Sequence, residues 1–323
     1  RHLSPSKRRD VKQAFQECED IYDRILNAVS DDVRKDDKYA VIPFRPPLAI
    51  VSATQYLQHF FSSSLKYLGP LRDEPKPLYP LAPAADPYDI GLRGEHTAAV
   101  LDLHKNKQIQ YIPSEHFKNP DINRKQVTRT LETAVVDWLK YLGVAESVQS
   151  KDKGKLGHEL KVSLSESGYR HDLTHVGVGV SQVLPILVMC LLSESDTTLV
   201  FEQPELHLHP KVQTLLGDFF ISMALCKKQC IVETHSEYMI SRLRFRTAAS
   251  RDEDDLVSHI KMYFAEKDND TSSFRDVVMN DYGAILDWPK GFFDQSQQEA
   301  EEILRAAMAK KKARRNKEKK DAK

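Results

Sequence analysis

The sequence is poor in cysteine, in tryptophan and in long apolar runs, and it carries no net charge: four Cys and two Trp stand among 323 residues, with 47 Lys and Arg against 47 Asp and Glu. Each shortage excludes something. Cys18, Cys190, Cys226 and Cys230 make no Cys-x-x-Cys pair, which excludes a disulfide-stapled scaffold and a structural zinc site. Such usage fits a reducing, cytoplasmic setting, with Cys226 and Cys230 read as ordinary residues of one helix. The longest strongly apolar stretch, Val183 to Leu192, is about half of a ~20-residue membrane span and contains Pro185, so no membrane-spanning helix is expected. The start, Arg1-His2-Leu3-Ser4-Pro5, has neither an initiator Met nor the apolar core of a signal peptide and reads as a chain entered in its middle. Balanced charge argues against a uniformly cationic coat, yet the balance is uneven. Arg305 to Lys323 holds ten basic and two acidic residues, a net +8, against −8 for everything before it. That tail reads as a solvated end, or as a contact for nucleic acid.

What is present is patterned. Lys7 to Val29 carries apolar residues at helical spacing. Lys38 to Ser52 is expected to be extended, since Pro43, Pro46 and Pro47 bar a helix. A helix over Thr54 to Tyr67 is expected to stop at Gly69-Pro70, and another is expected over Arg124 to Leu142. From His158 the pattern becomes strand and helix in alternation: strands at Glu159–Leu164, Thr198–Phe201 and Gln229–Glu233, and helices from Ser181, at Lys211–Leu225 and at Ser236–Leu243. His259–Ala265 and Ser273–Met279 read as a terminal strand pair, and Ser296–Met308 as a helix entering the basic tail. Short apolar strands alternating with helices predict a mostly parallel, buried sheet, whose ligands sit at the carboxyl ends of the strands.

Three segments at those ends carry chemistry. Gly177-Val178-Gly179-Val180-Ser181-Gln182 is a glycine turn opening a helix, the arrangement that lets backbone N–H groups approach an anion. Leu199-Val200-Phe201-Glu202-Gln203-Pro204-Glu205 ends an apolar strand in oxygen-bearing side chains, as a Mg²⁺-nucleotide site requires. Ile231-Val232-Glu233-Thr234-His235-Ser236 ends a second strand with a histidine able to reach a phosphate.

The run LVFEQPELHLHP over Leu199–Pro210, followed by IVETHS, resembles the Walker B, D-loop and switch-histidine segments of ABC-type ATPases of the RecF/SMC/OLD (overcoming-lysogenisation-defect) kind. Tyr67–Arg72, Asp89–Glu95 and Trp288–Asp294 are similar to further segments of one branch. The resemblance implies an α/β fold: an ABC-ATPase-like head lobe with a mostly parallel sheet flanked by helices, preceded by a helical insertion. It divides the chain into an insertion end (1–66), a connecting region (67–157), the lobe itself (158–265), a cap (266–304) and the basic tail (305–323). It implies ATP and Mg²⁺ as ligands, with Glu202 holding the metal and His235 contacting the γ-phosphate. Gly177, Gly179, Ser181 and Gln182 would bind nucleotide held by a partner head, and His207, Leu208, His209 and Pro210 would form the D-loop across a two-fold interface. By the same resemblance the chain dimerises on ATP in DNA repair or anti-phage defence, with a nuclease partner and DNA contact.

Two departures qualify the resemblance. No Gly-x-x-x-x-Gly-Lys-Ser/Thr occurs in the sequence, so the phosphate-cradling half is expected elsewhere, in cis or in trans. Gln203 stands where such ATPases place the glutamate that activates water; an amide orients water but accepts no proton, so slow turnover is expected unless Glu205 or Glu233 substitutes. Two rival readings stay open. One is a dimerisation or scaffold module without ATP; separately, Tyr67–Arg72 reads as a helix stop in which Arg72 is also placed to contact a phosphate or a partner. The other is a metal-dependent hydrolase built on His171, His175, His207 and His209.

Overall fold

The computed structural model describes residues 46–81, 86–120, 122–165, 168–251, 255–268, 271–289, 293 and 295–321. The expected helix at Lys7–Val29, Cys18 and most of the Trp288–Asp294 segment lie outside them. Two compact units are separated at Leu65. In the first, α1 (Leu48–His59) passes into a π-helical turn, Phe60–Ser64. Pro47 stands before the helix with an extended ψ of 145°, so the prolines precede the helix rather than prevent it, and the extended reading fails from Leu48 onward. Nor does the expected helix reach Tyr67: Leu65–Leu68 is strand β1.

The second unit then runs α2 (Thr97–His104), β2 (Gln108–Tyr111), β3 (Val127–Thr130), α3 (Leu131–Leu142), β4 (Ser147–Asp152), β5 (His158–Ser163) and β6 (His171–Asp172). The long helix expected from Arg124 is cut in two. Val127–Thr130 pairs antiparallel with β2, and Thr130 caps α3 by accepting from the Thr133 N–H. Leu131, Ala134, Val135, Trp138, Leu139 and Leu142 form the buried stripe of α3, which ends at Gly143 in the left-handed region. β4, β5 and β6 form an antiparallel sheet.

Next come α4 (Gly179–Leu192), β7 (Thr198–Glu202), α5 (Pro210–Leu225), β8 (Gln229–Glu233), α6 (Glu237–Ala249), β9 (Met262–Asp268), β10 (Thr271–Val277) and α7 (Gln295–Asp321). α4 is apolar all round and buried from Val180 to Leu192, the signature of a central helix. Gly94, at φ +77°, lets a loop lie on Pro185 of this helix, where a Cβ would sit 2.7 Å from the proline ring. The sheet order is β1-β7-β8, and β7 and β8 are parallel and in register from Thr198↔Gln229 to Glu202↔Glu233, joined by α5. This is the expected parallel sheet flanked by helices. Cys226 caps the end of α5 and Cys230 lies on β8, so the two are not neighbours on one helix. β8 turns alternate residues to solvent, Ile231 being 50% exposed, so it is half-buried rather than sealed.

Candidate functional site

The parallel register places the last residues of two strands, Glu202 and Glu233, side by side. The chain leaving β7 is pinned onto the end of β8. Gln203 adopts φ +42°, and its N–H donates both to the Glu233 carbonyl at 2.9 Å and to Glu233 Oε2 at 3.2 Å. Two residues on, Glu205 is 8% exposed, and its Oε1 accepts the His235 N–H at 2.6 Å. His235 is thus positioned through its backbone while its ring, 78% exposed, lies 3.3 Å from Glu233 Oε1 through Nε2. From the other side Tyr67 on β1 hydrogen-bonds Glu202, and burial, followed by that carboxylate, raises the phenol's pKa.

The segment after Glu205 alternates. Leu208 is buried, whereas His207, His209 and Pro210 face solvent. His207 takes φ +61°; His209 caps α5, its Nδ1 accepting the Lys211 N–H, with Pro210 at the first helical position. Gln213 ties this segment to the second strand's exit: its Nε2 donates to the Leu208 carbonyl at 2.9 Å, and its Oε1 accepts the Ser236 hydroxyl at 2.7 Å. Ser236 in turn caps α6 through the Met239 N–H. Hydrogen bonds and close contacts therefore tie Gln203, Glu205, Glu233, His235 and the His207–Pro210 segment together, with Glu202 beside Glu233 in the strand register.

The glycine turn is separate. Among the described residues no hydrogen bond or ion pair joins Gly177–Gln182 to that network. Ser181 and Gln182 are buried, and the Ser181 hydroxyl donates to the Val178 carbonyl at 2.8 Å. Gly177 has open space around it, a Cβ there meeting nothing within 4 Å, so packing inside the chain does not require glycine. Among the described residues no group of three or more His, Cys, Asp or Glu is placed to hold a metal ion, so the four histidines of the hydrolase reading do not form a cluster.

The family profile of the AAA ATPase domain matches residues 95–240, the stretch that contains the glycine turn, β7, His207–Pro210, β8 and His235. Residues 95–240 are thus similar to AAA ATPase domains. A second profile, a protein family of unknown function (DUF3696), matches residues 257–303, which follow the AAA ATPase domain. No curated protein matches the chain. A solved structure from work on ATP-driven dimerization and DNA-stimulated activation of SMC ATPases aligns at 12% identity and a TM-score of 0.36, covering 54% of this chain and 91% of its own. The expectation of an ATPase domain is supported over residues 95–240 by the AAA ATPase match.

Gln213, and the burial of Arg72, escaped the sequence reading. Gln213 looks like any polar residue on an amphipathic helix, and only the fold shows both ends of its amide engaged. Arg72 lies upstream of the AAA ATPase domain match, next to a helix stop, yet its guanidinium is buried and faces Tyr67, Glu205 and Glu202. Burial draws its pKa down to about 10 despite those three groups. The Gly-Pro-Leu-Arg pattern was the available signal, and it carried no statement about burial.

Proposed function

We propose that this chain is the C-terminal part of an ABC-type ATPase head, which binds Mg²⁺-ATP, hydrolyses it slowly and pairs with a second head around the nucleotide. The observation that carries the reading is the joining of Glu202, Gln203, Glu233 and His235 at the carboxyl ends of adjacent parallel strands, where ligands of such sheets bind. Glu202, the strand-end carboxylate, fits a hard cation that takes one carboxylate and keeps waters. When bound there, Mg²⁺ would offset charge on the nucleotide's phosphates. His235 presents an exposed ring held by its own backbone and is the γ-phosphate contact. Gln203 orients the attacking water without removing its proton. The proton goes to Glu233, 49% exposed and beside His235, rather than to the buried Glu205. Glu205 is a positioning residue.

The remaining expectations join the proposal. A phosphate-cradling loop comes from another segment; supporting this, β8 is an edge strand among the described residues. The exposed D-loop residues His207, His209 and Pro210 and the open backbone of Gly177 and Gly179 meet the partner head, and Ser181 and Gln182 support that turn from within. Cys190, Cys226 and Cys230 are free thiols, in keeping with a cytoplasmic setting, and no helix among the described residues is long and apolar enough to cross a membrane. DNA and a nuclease are the proposed partners. The test supplies the phosphate-loop segment and measures Mg²⁺-ATP binding, hydrolysis and mass by light scattering. Tight ATP binding with an ATP-dependent doubling of mass, abolished in Glu202→Gln, is expected. Absence of nucleotide binding leaves the scaffold reading in its place.

A further inference from the structure

Arg72 is 5% exposed, and its Nε, Nη1 and Nη2 are all buried without a hydrogen-bond partner. Across from it the second oxygen of Glu205, Oε2, is buried and unpartnered as well. A buried guanidinium left unpaired is strongly unfavourable, and a planar fork matched to a carboxylate ordinarily closes on it in two parallel bonds. Here it does not, although Tyr67, Glu205 and Glu202 are its charged or ionisable neighbours. The backbone holds it in place. Gly69 N–H donates to the Leu92 carbonyl and Asp73 N–H to the Arg93 carbonyl, each at 2.8 Å, while Arg93 Nε donates to the Leu71 carbonyl at 3.2 Å. The 69–73 segment is therefore stitched on both sides of Arg72, to the loop that Gly94 lays against Pro185.

We infer that Arg72 binds a phosphoryl oxygen of the nucleotide whose metal Glu202 holds. The chemistry is that of a two-sided site: a fork of five N–H donors takes phosphate oxygens, and the carboxylates opposite take the hydrated cation that accompanies them. Neither half is balanced alone, which accounts for donors and a carboxylate oxygen standing orphaned within one group. Tyr67, the exposed member of the group and the residue hydrogen-bonded to Glu202, is the one that must move for a ligand to enter. A duplex backbone cannot approach a side chain buried this deeply; a terminal phosphate can. The inference rests on the nucleotide reading of Glu202, but it has its own readout.

The probe is inorganic pyrophosphate with Mg²⁺, titrated into the chain as it stands and followed by calorimetry and thermal unfolding. Saturable binding that raises the unfolding temperature is expected for the native sequence, with affinity at least tenfold weaker in Arg72→Gln and an intermediate loss in Arg72→Lys, which keeps the charge but not the fork. Pyrophosphate binding unchanged in Arg72→Gln, or absent from the native protein, overturns the assignment. If Arg72→Gln fails to fold, Arg72→Lys decides: an unchanged affinity in a folded Lys variant overturns it equally. A variant that loses duplex DNA affinity while keeping pyrophosphate affinity also overturns it, in favour of a nucleic-acid contact. Loss of pyrophosphate binding in the variants without ATP hydrolysis by the completed head would leave Arg72 as an anion site and remove only the ATPase reading.

Discussion

Gln203 is held in the left-handed region by two hydrogen bonds from its N–H to Glu233, a conformation that costs a non-glycine residue about 1–3 kcal/mol unless its surroundings fix it. Its side chain is thereby aimed by the backbone and not by its own contacts, so the amide is replaceable without rebuilding the turn. Gln203→Glu supplies a carboxylate where water is oriented, and general-base assistance is worth roughly 10²–10⁴-fold when geometry allows. Steady-state ATP hydrolysis by the completed head is expected to rise at least tenfold in Gln203→Glu and to fall by a similar factor in Glu233→Gln. Unchanged rates in both would move proton acceptance to another group. Glu205→Gln, by contrast, is expected to weaken ATP binding and hydrolysis together, since it loosens the His235 backbone.

At the scale of elements, the strongest internal tie is Asp218 on α5. It is wholly buried, accepts from Arg242 Nη2 and Arg246 Nε on α6 at 2.7 Å each, and accepts the Tyr141 hydroxyl of α3 at 2.6 Å. Arg246, itself buried, also donates to the carbonyls of Phe117, Asn119 and Pro120. Three helices and a loop therefore depend on one carboxylate, and removing it leaves two guanidinium groups short of their counter-charge. Asp218→Asn is expected to cost about 3–5 kcal/mol, lowering the unfolding temperature by roughly 10 °C; a calorimetric shift under 2 °C would mean that water replaces the carboxylate. None of this tie is visible in the sequence, where Asp218 is one acid in an apolar helix. β7, α5 and β8 were legible to within about a residue because their apolar runs end in polar clusters that local chemistry explains. Val127–Thr130 and Leu65–Leu68 were not, since four residues fit a helix or a strand equally and only a distant partner decides. The candidate site was legible where it follows strand ends. It was hidden at Gln213 and in the burial of Arg72, since both depend on residues far along the chain.

The whole molecule carries its charge unevenly, with an acidic body and a +8 segment from Arg305 to Lys323. Much of that segment belongs to α7, 27 residues long and so about 40 Å, comparable to one turn of duplex DNA. On the proposed DNA-binding reading, this basic segment is the part of the chain that meets a polyanion. The energy comes mainly from counterion release, which makes the affinity fall with salt in proportion to the phosphates neutralised, with a slope of about −0.9 per contact. If five or so of the ten basic residues reach phosphates, deletion of residues 305–323 will reduce the slope of log affinity against log salt by roughly 4 to 5 units. It will weaken binding at low salt far more than at high salt, and it will leave unfolding temperature and pyrophosphate affinity as they were. Filter binding of a 30-base-pair duplex across a salt series measures the slope. A slope equal in the intact and shortened proteins would place DNA on another surface and return the helix to the role of a solvated end.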